Sequence, residues 1–524
     1  MAADPLAPTG LVPQGWRTVA DQLRAAVAAD RDKAVLQSVD DGRRLSWGAL
    51  GEWAGRIAHF LHTRGIGAND RIAVLGDNSI EQLILYYGVQ AYGATYCTVN
   101  VEVNEHHLWE MLGRIDPALV LWQADLDPAR LGVGQPGEWI PFGRHDDPDE
   151  AGLFSILEGF ASAPDVAPVN GPEDRCVISF TSGTEAAPKG VLHDFCNYFA
   201  IAEHQRQRWS LTAADRILDV RSFTWASAHM LSLNPALLVG GTLLFARAFS
   251  RSRFFGWLRD YRPTIVVAVP TVVNMLLERQ AAAERDAFAG VRFVSCSTAP
   301  LMPENHRRFE DIYGVPLVQL YGMSEGGVVA ANGPDDRRIG SVGSAGLYQR
   351  LSIVAPDGAP VPPGETGAIE TVSAQHAHAY LYADRTIESI RGRALPTGDL
   401  GYLDDDGFLH VTGRARDVII RGGVNIAPLE IDVMLAKHPD IAEAATFGVP
   451  DPVWGEAVAS WVTARPGAAL SEGSVRAHCA AHLPEAKRPA YIVIADTIPK
   501  NDRGKIDRNR LRALWDEKHA RVAG

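Results

Sequence analysis

Cysteine is scarce and positive charge is in deficit along this chain of 524 residues. The five cysteines, Cys97, Cys176, Cys196, Cys296 and Cys479, are scattered and odd in number. No Cys-x-x-Cys pair occurs, so neither a disulfide framework nor a zinc site is indicated, and a reduced, cytoplasmic compartment is expected. Lys and Arg total 50 against 63 Asp and Glu, a formal net charge of −13. That balance argues against broad nucleic-acid binding, which needs cations to neutralise phosphates, and against recruitment to an anionic membrane surface. No apolar run is long enough to span a bilayer, and the longest, near residues 264–277, is broken by Pro270 and Asn274. The first residues carry no basic or apolar signal region, so no signal peptide is expected. Repeats and low-complexity tracts are also missing.

What is present is an alternation of short apolar runs and amphipathic segments. Residues 71–75, 118–122, 176–180, 265–269 and 291–294 read as strands, and 80–90 as a helix, the signature of βαβ units with largely parallel, buried sheets. Near Ile339 the texture changes to turn residues between short strands, with a hairpin around Asp405, Asp406 and Gly407. This predicts a small β-rich subdomain. After Arg416 the pattern is that of a compact α+β unit, with helices at 429–438, 474–482 and 508–520 and strands at 442–449, 456–463 and 490–494. The expected architecture is α/β: a large N-terminal domain (1–415) of two βαβ-type sheets plus the β-rich subdomain, then a small mobile C-terminal domain (416–524).

Four segments carry chemistry. Thr181-Ser-Gly-Thr-Glu-Ala-Ala-Pro-Lys-Gly190 follows a strand, and its small residues, hydroxyls and lysine suit a phosphate. It is not a Walker A loop, since Pro188 precedes Lys189 and Gly190 follows it. A plain turn between strand and helix is the alternative. In Gln319-Leu-Tyr-Gly-Met-Ser-Glu325, Tyr321 offers a stacking face, Gly322 close backbone approach and Glu325 a hard oxygen for Mg²⁺. In Thr397-Gly-Asp399, the carboxylate is either a turn cap or an acceptor for a ribose diol. Pro499-Lys-Asn-Asp-Arg-Gly-Lys505 is a basic loop that is either a solvated face or a carrier for a mobile cation.

Together and in this order, the four resemble the adenylate-forming superfamily of acyl-CoA synthetases, peptide-synthetase adenylation domains and firefly-type luciferases. The family's Thr-Ser-Gly-Thr-Thr-Gly-x-Pro-Lys-Gly, Tyr-Gly-x-Thr-Glu, Thr-Gly-Asp, Gly-Arg-x-x-Asp and Pro-Lys-x-x-x-Gly-Lys all have counterparts, from Gly67 to Arg508. The resemblance implies activation of a carboxylic acid by ATP to acyl-AMP, then transfer to coenzyme A. It assigns Thr181, Ser182, Gly183, Thr184 and Lys189 to the ATP phosphates, and Ser297, Thr298, Ala299, Tyr321, Gly322 and Ser324 to the adenylate. Asp399 falls to the ribose, Arg414 to a ribose or phosphate oxygen, Glu325 and Thr184 to Mg²⁺, and Lys505 to the adenylation step. Arg416 is the implied hinge, and Gly422 and Gly423 line the implied coenzyme A tunnel. Trp225, His229, Gly322 and Met323 are the candidate acyl walls, with ordinary core packing the competing reading for each aromatic. For His229 a satisfied histidine is the stronger alternative. A monomer or homodimer is expected.

The chain departs from the family pattern at several points. Glu185-Ala186 replaces Thr-Gly, Asp194-Phe195 replaces Thr-His, Asn501 replaces Thr, and Arg503 replaces Ser or Thr. Two other functions stay open on the sequence: transfer of the acyl group to a carrier-protein thiol or an amine, and a catalytically silent nucleotide or acyl sensor. The bulk acidity does not recruit anionic ligands, but local charge can. Between Lys500 and Arg512 stand six basic residues against two acidic ones.

Overall fold

The computed structural model describes residues 12–134, 137–147, 152–163, 165–180, 189–278, 282–501 and 505–520. Thr181, Ser182, Gly183, Thr184 and Glu185 of the phosphate loop, and Arg503 of the C-terminal loop, lie outside them.

The helix Ile80–Tyr92 shows why the large domain folds as it does. Every one of its residues is buried. A helix buried on all sides has no solvent face and must sit between layers. Ser79 caps its start by accepting from the Gln82 N–H, and Gly93 ends it in the left-handed conformation at φ 102°. It packs against strands of both large sheets. One core cluster therefore runs continuously from Val35 and Leu243 in one sheet, through Leu83 and Tyr87, to Val74 and Tyr96 in the other.

In the first sheet, six strands from Leu317–Met323 to Ala34–Ser38 are parallel, with antiparallel strands added at the edges. The second sheet is less regular than the sequence pattern suggests. Its core of Arg175–Phe180, Thr95–Thr98, Arg71–Leu75, Leu119–Gln123 and Glu138–Phe142 is parallel. Gly190–Asp194 then returns antiparallel to Arg175–Phe180. The loop 181–189 thus joins two strands of a hairpin, not a strand to a helix. The helix Phe195–Arg208 starts only after that second strand, capped by Asp194.

The turn-rich stretch after Ile339 builds a four-stranded antiparallel sheet of Gln349–Val354, Gly367–Ser373, Leu395–Leu403 and Leu409–Arg414. It is not self-contained. Between its second and third strands the chain leaves to pair Ala379–Leu381 with Gly190–Asp194, adding two strands to the second large sheet. This crossover brings residues near 380 beside the end of the phosphate loop.

In the C-terminal unit, Ile441–Asp451 and Gly455–Ala464 form a long hairpin, joined by Ile419–Arg421, Val424–Ile426 and a parallel Tyr491–Ile494. Its faces bury separate clusters. Ile431, Leu435, Val475 and Cys479 cover one side, and Leu511 and Trp515 the other. The helix Pro428–Leu435 also packs against Leu409–Arg414 of the large domain.

Candidate active site

The strand Leu317–Met323 lies parallel to Phe293–Cys296, then pairs antiparallel with Gly327–Ala331 across a register shift between Tyr321 and Gly322. A Cβ at Gly322 would sit 2.2 Å from the Gly327 carbonyl oxygen, so only glycine lets this bulge close. The bulge turns Tyr321 toward the four-stranded sheet. Its hydroxyl donates to Asp399 Oδ2 at 2.5 Å. Asp399 faces Arg414 across paired strands, and Arg414 Nε lies 3.1 Å from Asp399 Oδ1. Burial pushes the Tyr321 phenol well up, reinforced by the adjacent Asp399 carboxylate.

Glu325 follows on the same segment. Burial raises its carboxyl above the usual range, opposed by a backbone N–H and by the charges of Lys189 and Arg414. The structure therefore gathers Lys189, Glu325, Arg414, Asp399 and Tyr321, which are up to 225 positions apart in sequence. Two residues outside the sequence expectations join them. Lys189 Nζ lies 5.8 Å from the Tyr380 ring and 5.9 Å from the Tyr382 ring, within cation–π range. Tyr382 in turn donates to Glu388 at 2.7 Å. The one available sequence signal was two tyrosines spaced by two, at and just past the strand Ala379–Leu381.

Ser297, Thr298 and Ala299 follow the strand Phe293–Cys296 directly. Thr298 has φ 76°, costly for a β-branched residue. Ser297 Oγ is buried and has no hydrogen-bond partner among the described residues. A strained residue beside an unpaired buried hydroxyl marks this turn as more than a connection.

The candidate acyl walls fare differently. Trp225 is half-buried and Gly322 exposed. Met323 is half-buried, packed against Val191, Ala377, Ile390 and Leu395, with its side chain folded over Gly326. His229 is fully buried, with Nε2 2.7 Å from the Phe223 carbonyl and Nδ1 3.3 Å from the Tyr198 hydroxyl. It is a satisfied histidine, and burial lowers its pKa to about 4.

In the C-terminal unit, Arg416 is exposed on a short 3-10 turn. Gly422 and Gly423 have φ 57° and 81°, the left-handed region that favours glycine. The Gly422 N–H donates to the Trp454 carbonyl at 2.8 Å, and a Cβ there would meet the Trp454 ring at 2.7 Å. Lys505 sits in a closed loop: its N–H donates to Asn501 Oδ1 at 3.0 Å, and the Asn501 N–H returns to the Lys505 carbonyl at 2.8 Å. Asn501, a departure from the family pattern, thus closes the loop. Asp194, another departure, accepts from the Asn197 N–H and pairs with Arg391.

A second polar region is structural. Glu81, His145 and Asp146 cluster tightly enough to suggest a metal. Arg43 pairs with both carboxylates. Although burial opposes ionisation, hydrogen bonds from His145 and Arg43 pull the Glu81 carboxyl down to about 2. An arginine already supplies the compensating charge.

Residues 23–381 match the model of the AMP-binding enzyme family, and residues 430–505 match its C-terminal domain. The chain belongs to this family. The sulfoacetate–CoA ligase of Cupriavidus necator is 32% identical over 508 residues, covering 95% of this chain and 98% of that protein. ATP-bound MatB of Rhodopseudomonas palustris superposes with a TM-score of 0.85 at 25% identity, covering 95% of this chain and 99% of that one. The amide bond synthetase McbA of Marinactinospora thermotolerans gives 0.82 at 25% identity, covering 95% and 99%. By family and kinship the chain is an AMP-forming acid–CoA ligase.

Proposed function

We propose that this ligase joins a carboxylic acid to ATP, releasing pyrophosphate, and then passes the acyl group from acyl-AMP to the thiol of coenzyme A. The observation that carries the site assignment is the convergence of Tyr321, Asp399 and Arg414 beside Glu325 and Lys189. Asp399 is a buried acceptor of the kind a ribose diol requires, held by Tyr321 and Arg414. Ser297 offers an unpaired hydroxyl and Thr298 a strained backbone where an adenine edge would lie. Tyr321 supplies an aromatic wall. Lys189 brings charge to the triphosphate together with Ser182, Gly183 and Thr184.

The desolvated Glu325 carboxylate is a hard oxygen donor suited to Mg²⁺, with Thr184 as its companion. Bound there, Mg²⁺ would screen the negative charge of the triphosphate. The chemistry explains the need for these groups. A carboxylate is a weak nucleophile approaching an anionic phosphorus, so charge must be offset and the oxygen held in line. Lys505 sits on the C-terminal unit, outside the large-domain cluster. We assign it to the adenylation step, with rotation about Arg416 then presenting Gly422 and Gly423 for the thiol step. The domains are 1–415 and 416–524. Five buried, unpaired thiols support a cytoplasmic setting, and a monomer or homodimer is the assembly proposed.

Similarity to an amide bond synthetase favours one second reading, in which the acceptor is an amine. The deciding experiment measures pyrophosphate release and acyl product across a panel of acids, with coenzyme A or an amine supplied. Acyl-CoA formation is expected, and acyl-amide without acyl-CoA would overturn the thiol assignment. Lys505→Ala is expected to abolish adenylation but spare thioester formation from supplied acyl-AMP. Equal loss of both steps would remove Lys505 from its assigned role.

A further inference from the structure

Arg508 ties together two parts of the C-terminal unit that have separate apolar cores. The helix Pro428–Leu435 follows the hairpin that carries Gly422 and Gly423, and its Ile431 and Leu435 share a cluster with Ile419 and Ile426 of that hairpin. The helix Arg508–Ala520 follows the Lys505 loop, and its Leu511 and Trp515 belong to a second cluster with Ile498. Asp432, on the first helix, is fully buried. Arg508 opens the second helix, and its Nη2 reaches Asp432 Oδ2 at 2.6 Å. Its Nε also donates to the Thr446 carbonyl, at 3.0 Å, on the strand Ile441–Asp451.

The Lys505 loop hangs from that anchor. Lys500 and Ile506 pair in an antiparallel bridge, and the Asp507 N–H donates to the Pro499 carbonyl at 2.9 Å. Asp507 Oδ1 accepts from the Arg510 N–H at 3.0 Å and so caps the last helix. From Lys505 to Arg508 the chain thus runs through bonded residues. On the other leg Lys500 Nζ meets Glu443 at 2.6 Å, but both side chains are about one-third exposed. An ion pair open to water holds a side chain weakly. The apolar contacts of Leu511 and Trp515 press the helix against the sheet without setting its angle, since hydrophobic attraction is non-directional. A charge-assisted hydrogen bond to a buried carboxylate is directional. It fixes the first residue of the helix, and with it the end of the loop that carries Lys505.

We propose that Asp432, acting through Arg508, is a positioning residue for Lys505, required for adenylation and dispensable for the thiol step. This rests on the assignment of Lys505 to adenylation above. The two steps separate because Gly422 and Gly423 belong to a hairpin that packs on Ile431 and Leu435, which stay in place without the Arg508 bond.

The test uses the full-length enzyme and the acid from the panel above that the wild type accepts best. Adenylation is read as pyrophosphate release, and the thiol step as acyl-CoA formed from supplied acyl-AMP and coenzyme A. Asp432→Asn keeps the side-chain size and removes the charge. It should lower kcat for adenylation about tenfold or more, the scale of a small misplacement of a reacting group, while the KM for ATP and the thiol step change less than about twofold. Asp432→Leu combined with Arg508→Met removes both charges, so the thermal midpoint should return close to that of the wild type. Adenylation should stay low in that pair, which a merely stabilising role would not produce. The pair also carries the test if Asp432→Asn does not fold. Equal loss of both steps, unchanged adenylation, or recovery of adenylation in the stable pair would overturn the inference. Lys505→Ala, run alongside, separates the two assignments. If it divides the steps and the Asp432 variants do not, only the role of Asp432 falls. If it loses both steps equally, the Lys505 assignment falls and the role of Asp432 with it.

Discussion

Tyr321 shows how much one hydroxyl decides in this site. It donates to a carboxylate that is otherwise held by Arg414, and it does so from a strand bulge that only Gly322 permits. A hydrogen bond to a charged group is worth about 1.5–3 kcal/mol. Tyr321→Phe keeps the ring and removes the bond, so the KM for ATP should rise about tenfold or more while kcat changes little. Steady-state kinetics at saturating acid check this, and an unchanged KM would show that the Tyr321 bond does not hold Asp399 for the nucleotide. Residue-scale legibility in the sequence was uneven. Tyr321, Glu325, Asp399 and Arg414 stand in ordered motifs, and the structure brings them together. Tyr380 and Tyr382 were missed because their contact with Lys189 depends on a strand crossing from another sheet. Met323, expected to face an acyl pocket, is half-buried against Val191, Ala377, Ile390 and Leu395, a contact between distant segments that its motif does not announce.

At the scale of elements, a buried ion pair ties the last helix to the rest of the C-terminal unit. Arg508 begins the last helix, three residues beyond Lys505. Its Nη2 meets Asp432 Oδ2 at 2.6 Å, and its Nε donates to the Thr446 carbonyl at 3.0 Å. Asp432 is fully buried. Removing one member of such a pair leaves the other charge uncompensated, at about 3–5 kcal/mol. Asp432→Ala should therefore lower the stability of the C-terminal unit by that order. Hydrogen exchange should accelerate in Ile441–Asp451 and Arg508–Ala520 while the large domain stays protected. Uniform exchange across both units would contradict the assignment. The same scale explains why the antiparallel edge of the largely parallel second sheet was not legible. Gly190–Asp194 is short and mixes Val191 and Leu192 with His193 and Asp194, so its sequence reports neither strand nor direction.

For the whole molecule, buried histidines set the response to acid. His193, His204, His229 and His376 each have a pKa lowered from 6.5 to about 4, with burial the main cause. Their folded pKa lies below the unfolded value, so the unfolded chain binds more protons between pH 6.5 and 4. Their contribution to stability is complete above pH 6.5 and is lost as pH falls toward 4, by about 1 kcal/mol per pH unit for each. Thermal unfolding should show a midpoint that drops steeply below pH 6.5. A flat profile from pH 7 to 5 would show that these rings are solvated. Across the same molecule, the division between sequence and structure is plain. The order and spacing of motifs identified the family, because phosphate, ribose and carboxyl chemistry demand particular side chains at particular intervals, while the alternation of apolar and amphipathic segments marked the α/β class and the large and small domains. Which residues converge was decided by the tertiary structure. The Tyr321–Asp399–Arg414 contact depends on strand crossings between distant segments and leaves no periodic mark along the chain.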